Sequence, residues 1–160
     1  MKIFARCLLI SALFVLAACE TAEQKEVKQE RQVMNDAIKQ EQPGNYFIGR
    51  RYYKKDYKFW GFIRSPGQPW STAKLVMLNE KQKLAPDRAI DKIGSDNNYE
   101  YKLYGYFSTD TPGGVYEPAS NAWYPEFVLQ GYELISASPA PIFHTTAATD
   151  PDQRILGVPY

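Results

Sequence analysis

The sequence predicts an all-β domain: a small barrel, closed or partly open, of about five strands with one short helix, following a partly helical N-terminal segment. Three observations carry this expectation. From Asn45 onward β-branched and aromatic residues dominate, Pro and Gly punctuate them, and no long amphipathic helical pattern recurs. Five segments read as strands: Tyr46 to Tyr53, Tyr57 to Arg64, Ala73 to Asn79, Tyr99 to Phe107, and Glu126 to Ser136. Glycine beside an aromatic interrupts three of them, at Trp60-Gly61-Phe62, Tyr104-Gly105-Tyr106 and Gly131-Tyr132. Glycine weakens a strand and normally marks a bulge, a bend or a close backbone approach. Three such points describe a sheet curved tightly enough to close on itself.

The elements follow in order. Glu20 to Gln42 is rich in Glu, Gln and Lys, lacks aromatics, and ends at Pro43-Gly44. Val27, Met34 and Ile38, with Val33 and Ala37 beside them, form a thin helical stripe, narrow for a core-facing helix. Residues 19–45 are therefore expected to be a charged, partly helical spacer; a docking or coiled-coil helix is the sharper alternative. The barrel domain is expected over 46–136. Its fourth strand alternates cleanly in Tyr99-Glu100-Tyr101-Lys102-Leu103, the period-two mark of a half-buried strand. Ser65-Pro66-Gly67-Gln68-Pro69 and Asp110-Thr111-Pro112-Gly113-Gly114 are turn signals. Pro86 to Ile93 forms the one short helix, with proline and aspartate at its start and Gly94 at its end. Residues 137–160 read as an extended tail, ordered where it packs on the barrel. This layout resembles the oligonucleotide/oligosaccharide-binding (OB) barrel, though no sequence motif carries the likeness. An SH3-like barrel or small sandwich stays open.

The N-terminus carries an address. Lys2 and Arg6 precede the apolar run Cys7 to Leu16, which two small residues and a cysteine close: Leu16-Ala17-Ala18-Cys19. This is the layout of a secretory signal, too short for a stable bilayer span. It resembles the lipobox of bacterial lipoprotein precursors. The resemblance implies a signal peptide over 1–18 and acyl chains, palmitate among them, on Cys19 as the first mature residue. It also implies attachment to the membrane through that lipid. Glu20 stands where an aspartate tends to retain such proteins at the inner membrane, so the outer membrane, facing the periplasm, is the favoured location. Ala17 and Ala18 would also serve an ordinary cleaved signal, and an uncleaved anchor would need roughly 20 apolar residues.

Composition narrows the chemistry. Cys7 and Cys19 are the only cysteines, so the mature chain would hold neither disulfide nor free thiol. That leaves out a thiol enzyme, a redox protein or a Cys-ligated metal, and makes packing the source of stability. The formal charge of +1 becomes −1 without Lys2 and Arg6, which gives no global sign of a nucleic-acid binder.

No catalytic motif stands out. His144, the single histidine, sits beside Phe143 in a Thr-rich tail. Glu117 and Glu126 flank the Ala119-Ser120-Asn121-Ala122 loop and could approach each other at the base of a hairpin, as a carboxylate-dependent hydrolase would require. Each acid would otherwise be solvated or bond backbone at a turn. Asp96-Asn97-Asn98, with Asp91 and Glu100, offers oxygens to calcium, but the spacing is not an EF-hand and the run is ordinary turn chemistry. No cofactor is expected. Arg50-Arg51 and Lys54-Lys55 read as a solvated edge strand, where lysines deter strand pairing.

Aromatics are the more plausible functional material. Trp60, Trp70, Tyr104, Tyr106, Trp123 and Tyr124 could stack on a sugar or on a partner's side chains, or could fill the core. Trp123-Tyr124, between proline-bearing turns, is the pair most expected at the surface. The expectation is a non-enzymatic, lipid-anchored module that contacts an envelope protein or glycan through an aromatic β surface, without binding nucleic acid.

Overall fold

The computed structural model describes residues 22–160; the signal segment and Cys19 lie outside the described residues. By contacts the chain forms two units, one ending at Val33 and one covering Met34–Tyr160. A helix, α1 (Ala22–Lys39), runs through the boundary. Among the described residues no helix is long and apolar enough to cross a membrane.

Five strands close a barrel: β1 (Phe47–Arg51), β2 (Gly61–Arg64), β3 (Lys74–Asn79), β4 (Glu100–Phe107) and β7 (Glu126–Ser136). Two further strands, β5 (Val115–Glu117) and β6 (Ala122–Tyr124), form a separate hairpin in the connection from β4 to β7. Around the barrel the order is β1-β2-β3-β7-β4 and back to β1; every contact is antiparallel except β3 with β7. A one-turn helix, α2 (Pro86–Ala89), lies between β3 and β4. A closed five-stranded barrel with one short helix is the all-β, OB-like layout expected from the sequence; closure excludes the sandwich.

The glycines act as bending points. A Cβ on Gly61 would collide with the Arg50 carbonyl on the neighbouring strand. Gly105, at φ 153°, sits where the β4–β7 ladder shifts register, and a Cβ there would collide with the Val128 carbonyl. Both positions need backbone to approach backbone, which only glycine permits.

Alternation along β1 and β2 sends side chains to two different cores. Inward, Trp60, Ile63, Val76, Tyr101, Leu103, Phe127 and Leu129 fill the barrel, with Phe47 and Phe107 edge-on to Phe127. The opposite face of β1 and β2 carries Ile48, Arg50, Phe62 and Arg64, paired Ile48 with Arg64 and Arg50 with Phe62. That face is buried too. Ile38 from the last turn of α1, Trp70, and Ile142, Phe143 and Ala148 of the C-terminal segment cover it, which is why all of β2 is buried.

This corrects the expectation for the basic residues. Arg50, Arg51 and Lys54 are buried rather than solvated; of the four, Lys55 alone is exposed. A closed barrel has no edge for them to guard. Instead the Arg50 and Arg64 guanidiniums pack against the Trp70 ring, at 5.2 and 4.6 Å from its centroid. Arg64 is held bidentately by Glu41, both bonds 2.6 Å, and Arg50 by Glu100 at 2.6 Å. Glu41 also accepts from the Gly67 N–H, so the residues after α1 are tied to the β2–β3 turn. Arg51 points the other way, donating to Asp87 (3.0 Å), Asp96 (3.3 Å) and the carbonyls of Phe59 and Trp60. The Lys54 ammonium donates to the Asp150 carbonyl at 2.8 Å.

Candidate functional site

The hairpin of β5 and β6 sorts its six residues by alternation. Tyr116 pairs with Trp123 across the strands, Val115 with Tyr124, and Glu117 with Ala122. Paired residues share a face. Tyr116 and Trp123 point outward, 43% and 64% exposed, their ring centroids 5.5 Å apart. Tyr124 points inward, its ring edge-on to Phe59 at 5.8 Å. The hairpin therefore displays one aromatic pair on the side away from the domain.

Two side chains hold this display in shape. Glu117, buried, accepts from the Ser120 N–H at 2.7 Å and the Ala119 N–H at 3.2 Å, closing the turn between the strands. Burial would raise its carboxyl, but the hydrogen bonds from Ser120 and Ala119 outweigh burial and hold it below the ordinary carboxylate range. Tyr116 donates to Asn121 Oδ1 at 2.7 Å, and Asn121 supplies the left-handed turn residue at φ 51°. The aromatic pair is thus set on a fixed turn rather than on a free loop.

The other expected aromatics fall elsewhere. Trp60 and Trp70 are 4% and 1% exposed; they belong to the two cores and cannot stack on a ligand, which corrects their place in a binding face. Tyr124, expected beside Trp123 at the surface, is turned inward by the strand period. Tyr104 lies on the outer face of β4, donates to Glu133 at 2.7 Å and packs on Gly131. Tyr106, further along β4, is 48% exposed. Tyr116 went unnoticed because a three-residue strand is too short to show alternation before its partner is known.

The candidate carboxylates are bound to separate tasks. Glu117 closes its turn, whereas Glu126 accepts from Asn79 at 3.0 Å and Thr111 at 3.2 Å. No hydrogen bond joins the two acids. A general acid needs a raised pKa, and Glu117 is shifted the opposite way. In the Asp-Asn-Asn run, Asp96 bonds Arg51 and Tyr101, Asn97 bonds the Tyr53 N–H and the Thr149 carbonyl, and Asn98 accepts from Arg50. Glu100 pairs with Arg50. These oxygens tie strands to loops, and among the described residues no group of three or more His, Cys, Asp or Glu side chains is placed to hold a metal ion. Burial raises the Asp96 carboxyl against the pull of Arg51, and burial beside Asp96 raises the Tyr101 hydroxyl. His144 lies tilted against Tyr160, ring centroids 5.0 Å apart.

Comparison with protein-family models, curated proteins and solved structures found no match.

Proposed function

We propose that this chain is a lipid-anchored binding module of the cell envelope, held by acyl chains on Cys19 and contacting an envelope protein or glycan through the outward face of the β5–β6 hairpin. The observation that carries the reading is Trp123, exposed on a turn that Glu117 and Asn121 hold rigid beside Tyr116. Rigid, exposed aromatics supply large contact area at small entropic cost and are the usual anchors of recognition. The lipobox motif Leu16-Ala17-Ala18-Cys19 supports the address. The β2–β3 face, which OB barrels use for ligands, is filled here by the chain's own Trp70, Ile142 and Phe143, so recognition is left to the loops. That covering and the near-neutral charge weigh against nucleic acid.

The test is crosslinking in intact cells with full-length Tyr116→Ala and Trp123→Ala variants. Partner capture falls by about 2 kcal/mol, roughly thirtyfold, as for hot-spot aromatics. The melting temperature stays within about 3 °C, as for surface substitutions. Unchanged capture by both variants refutes the reading.

A further inference from the structure

Beside the hairpin lies a cleft of about 470 Å³. The two are contiguous: Phe59 lines the cleft, and its ring meets that of Tyr124 on β6. The loop between β1 and β2 forms one wall, and the end of β3 with α2 forms the other. Its volume is within the range of small-molecule sites, about 300–1,000 Å³.

Four cations line the cleft, Arg51, Lys55, Lys58 and Arg88, against two carboxylates, Glu80 and Asp87. Three of the cations are already matched. Arg51 pairs with Asp87 at 3.0 Å, Arg88 with Glu80 at 3.1 Å, and Lys55 with Asp152. Among the described residues Lys58 makes no hydrogen bond or salt bridge; its field reaches Glu117, whose oxygens are already engaged by Ser120 and Ala119. The site therefore holds one ammonium whose donors are unused, with the Glu117 carboxylate within reach of its field.

The walls also carry groups suited to a polar ring. Tyr57 is partly exposed and stacked on Phe59, centroids 5.2 Å apart, giving an aromatic wall. Tyr53 is wedged against Gly94, where any Cβ would meet its ring, and its hydroxyl has no hydrogen-bond partner among the described residues. The Glu80 carboxylate is held by the Ala85 N–H at 2.6 Å and by Arg88, so it fixes the cleft wall and would repel a second acid. The closed barrel offers an extended peptide no unpaired strand edge, and the outer edges of β5 and β6 are only three residues long.

We infer that this cleft binds an anionic sugar, its negative group on Lys58 and its ring against Tyr57 and Tyr53. The inference rests on the envelope-binding reading above and narrows it to a ligand class. The charged group can come from the carboxylate of an acidic sugar in a glycan or from the phosphate of a sugar headgroup.

Saturation-transfer NMR on the full-length protein in detergent tests it, with N-acetylmuramic acid, N-acetylglucosamine 6-phosphate, neutral N-acetylglucosamine and triglutamate as probes. The anionic sugars bind, and the neutral sugar is weaker by up to about fivefold, the worth of one exposed charge contact. Binding by the carboxylated sugar assigns a glycan source, and binding by the phosphorylated sugar a headgroup source. Lys58→Gln removes the preference, Lys58→Arg restores it, and added salt weakens it. Equal binding of the neutral sugar, triglutamate binding as well as the sugars, or an unchanged preference in a folded Lys58→Gln protein overturns the inference. Partner capture that needs Trp123 while no sugar binds also overturns it, and leaves the hairpin reading intact. Sugar binding that needs Lys58, with capture indifferent to Trp123, does the reverse.

Discussion

Trp70 shows how a residue's neighbours decide its role. It is almost fully buried, with two guanidiniums against its ring and an apolar cluster around it. Burial lowers the Arg50 pKa, and Glu100 offsets that loss only in part. Trp70→Ala removes the surface both arginines pack on and leaves a cavity, so the protein loses about 3–5 kcal/mol in denaturant unfolding. Glu117 carries a pH signature. Its carboxyl is held below the ordinary range, so the folded state binds fewer protons than the unfolded chain in that window. The stability it contributes is fully present above about pH 4.3 and is lost as pH falls through the folded value. Glu117→Gln costs about 1 kcal/mol at neutral pH and flattens the fall of the melting temperature on acidification; Trp123 fluorescence reports the same turn. The backbone bonds of Glu117 at its turn were one of the alternatives open in the sequence, whereas the arginine roles were not legible residue by residue. Arg50 and Arg51 are adjacent in sequence, yet the strand period sends one under the C-terminal segment and the other into the Asp87–Asp96 network.

At the scale of elements, all five expected barrel strands are present, because each combines β-branched or aromatic residues with bounding turns. Their glycines bend where the sequence placed them. Gly61→Ala forces a Cβ onto the Arg50 carbonyl, backbone that cannot step aside, and costs about 1–3 kcal/mol in thermal unfolding. Three elements were misjudged: the second strand, expected from Tyr57, begins only at Gly61. The helix expected over Pro86 to Ile93 is one turn, since Asp91 takes φ 55° and ends it well before Gly94. The hairpin was not seen as strands at all, for its strands have three residues each. The spacer's end is part of the fold: Ile38 is in the core and Glu41 neutralises the buried Arg64. Glu41→Gln leaves that guanidinium without its counter-charge, and the domain loses about 2–3 kcal/mol.

For the whole molecule, the chain's two cysteines both precede the described residues, so two packed cores and buried arginine networks hold the barrel without a disulfide. The proposed anchor is independent of that packing. Cys19→Ala moves the protein from the membrane fraction to the soluble or unprocessed pool with the barrel unaltered; unchanged membrane association sinks the lipoprotein reading. Two or more acyl chains make attachment effectively permanent, each buried methylene contributing about 0.8 kcal/mol. The domain then needs no apolar surface for attachment, which leaves Trp123 available to a partner.

The sequence alone determined the all-β class, the strand positions and the bending glycines, because side-chain period and backbone sterics act over a few neighbouring residues. The tertiary structure alone decided which aromatics are buried. The turns around Trp123 pointed to the surface, where it lies, but nothing local marked Trp60 and Trp70 as core: barrel closure and the C-terminal segment bury them, and the strand period turns Tyr124 inward. Exposure is set by what packs against a face from distant parts of the chain, and local pattern does not encode it.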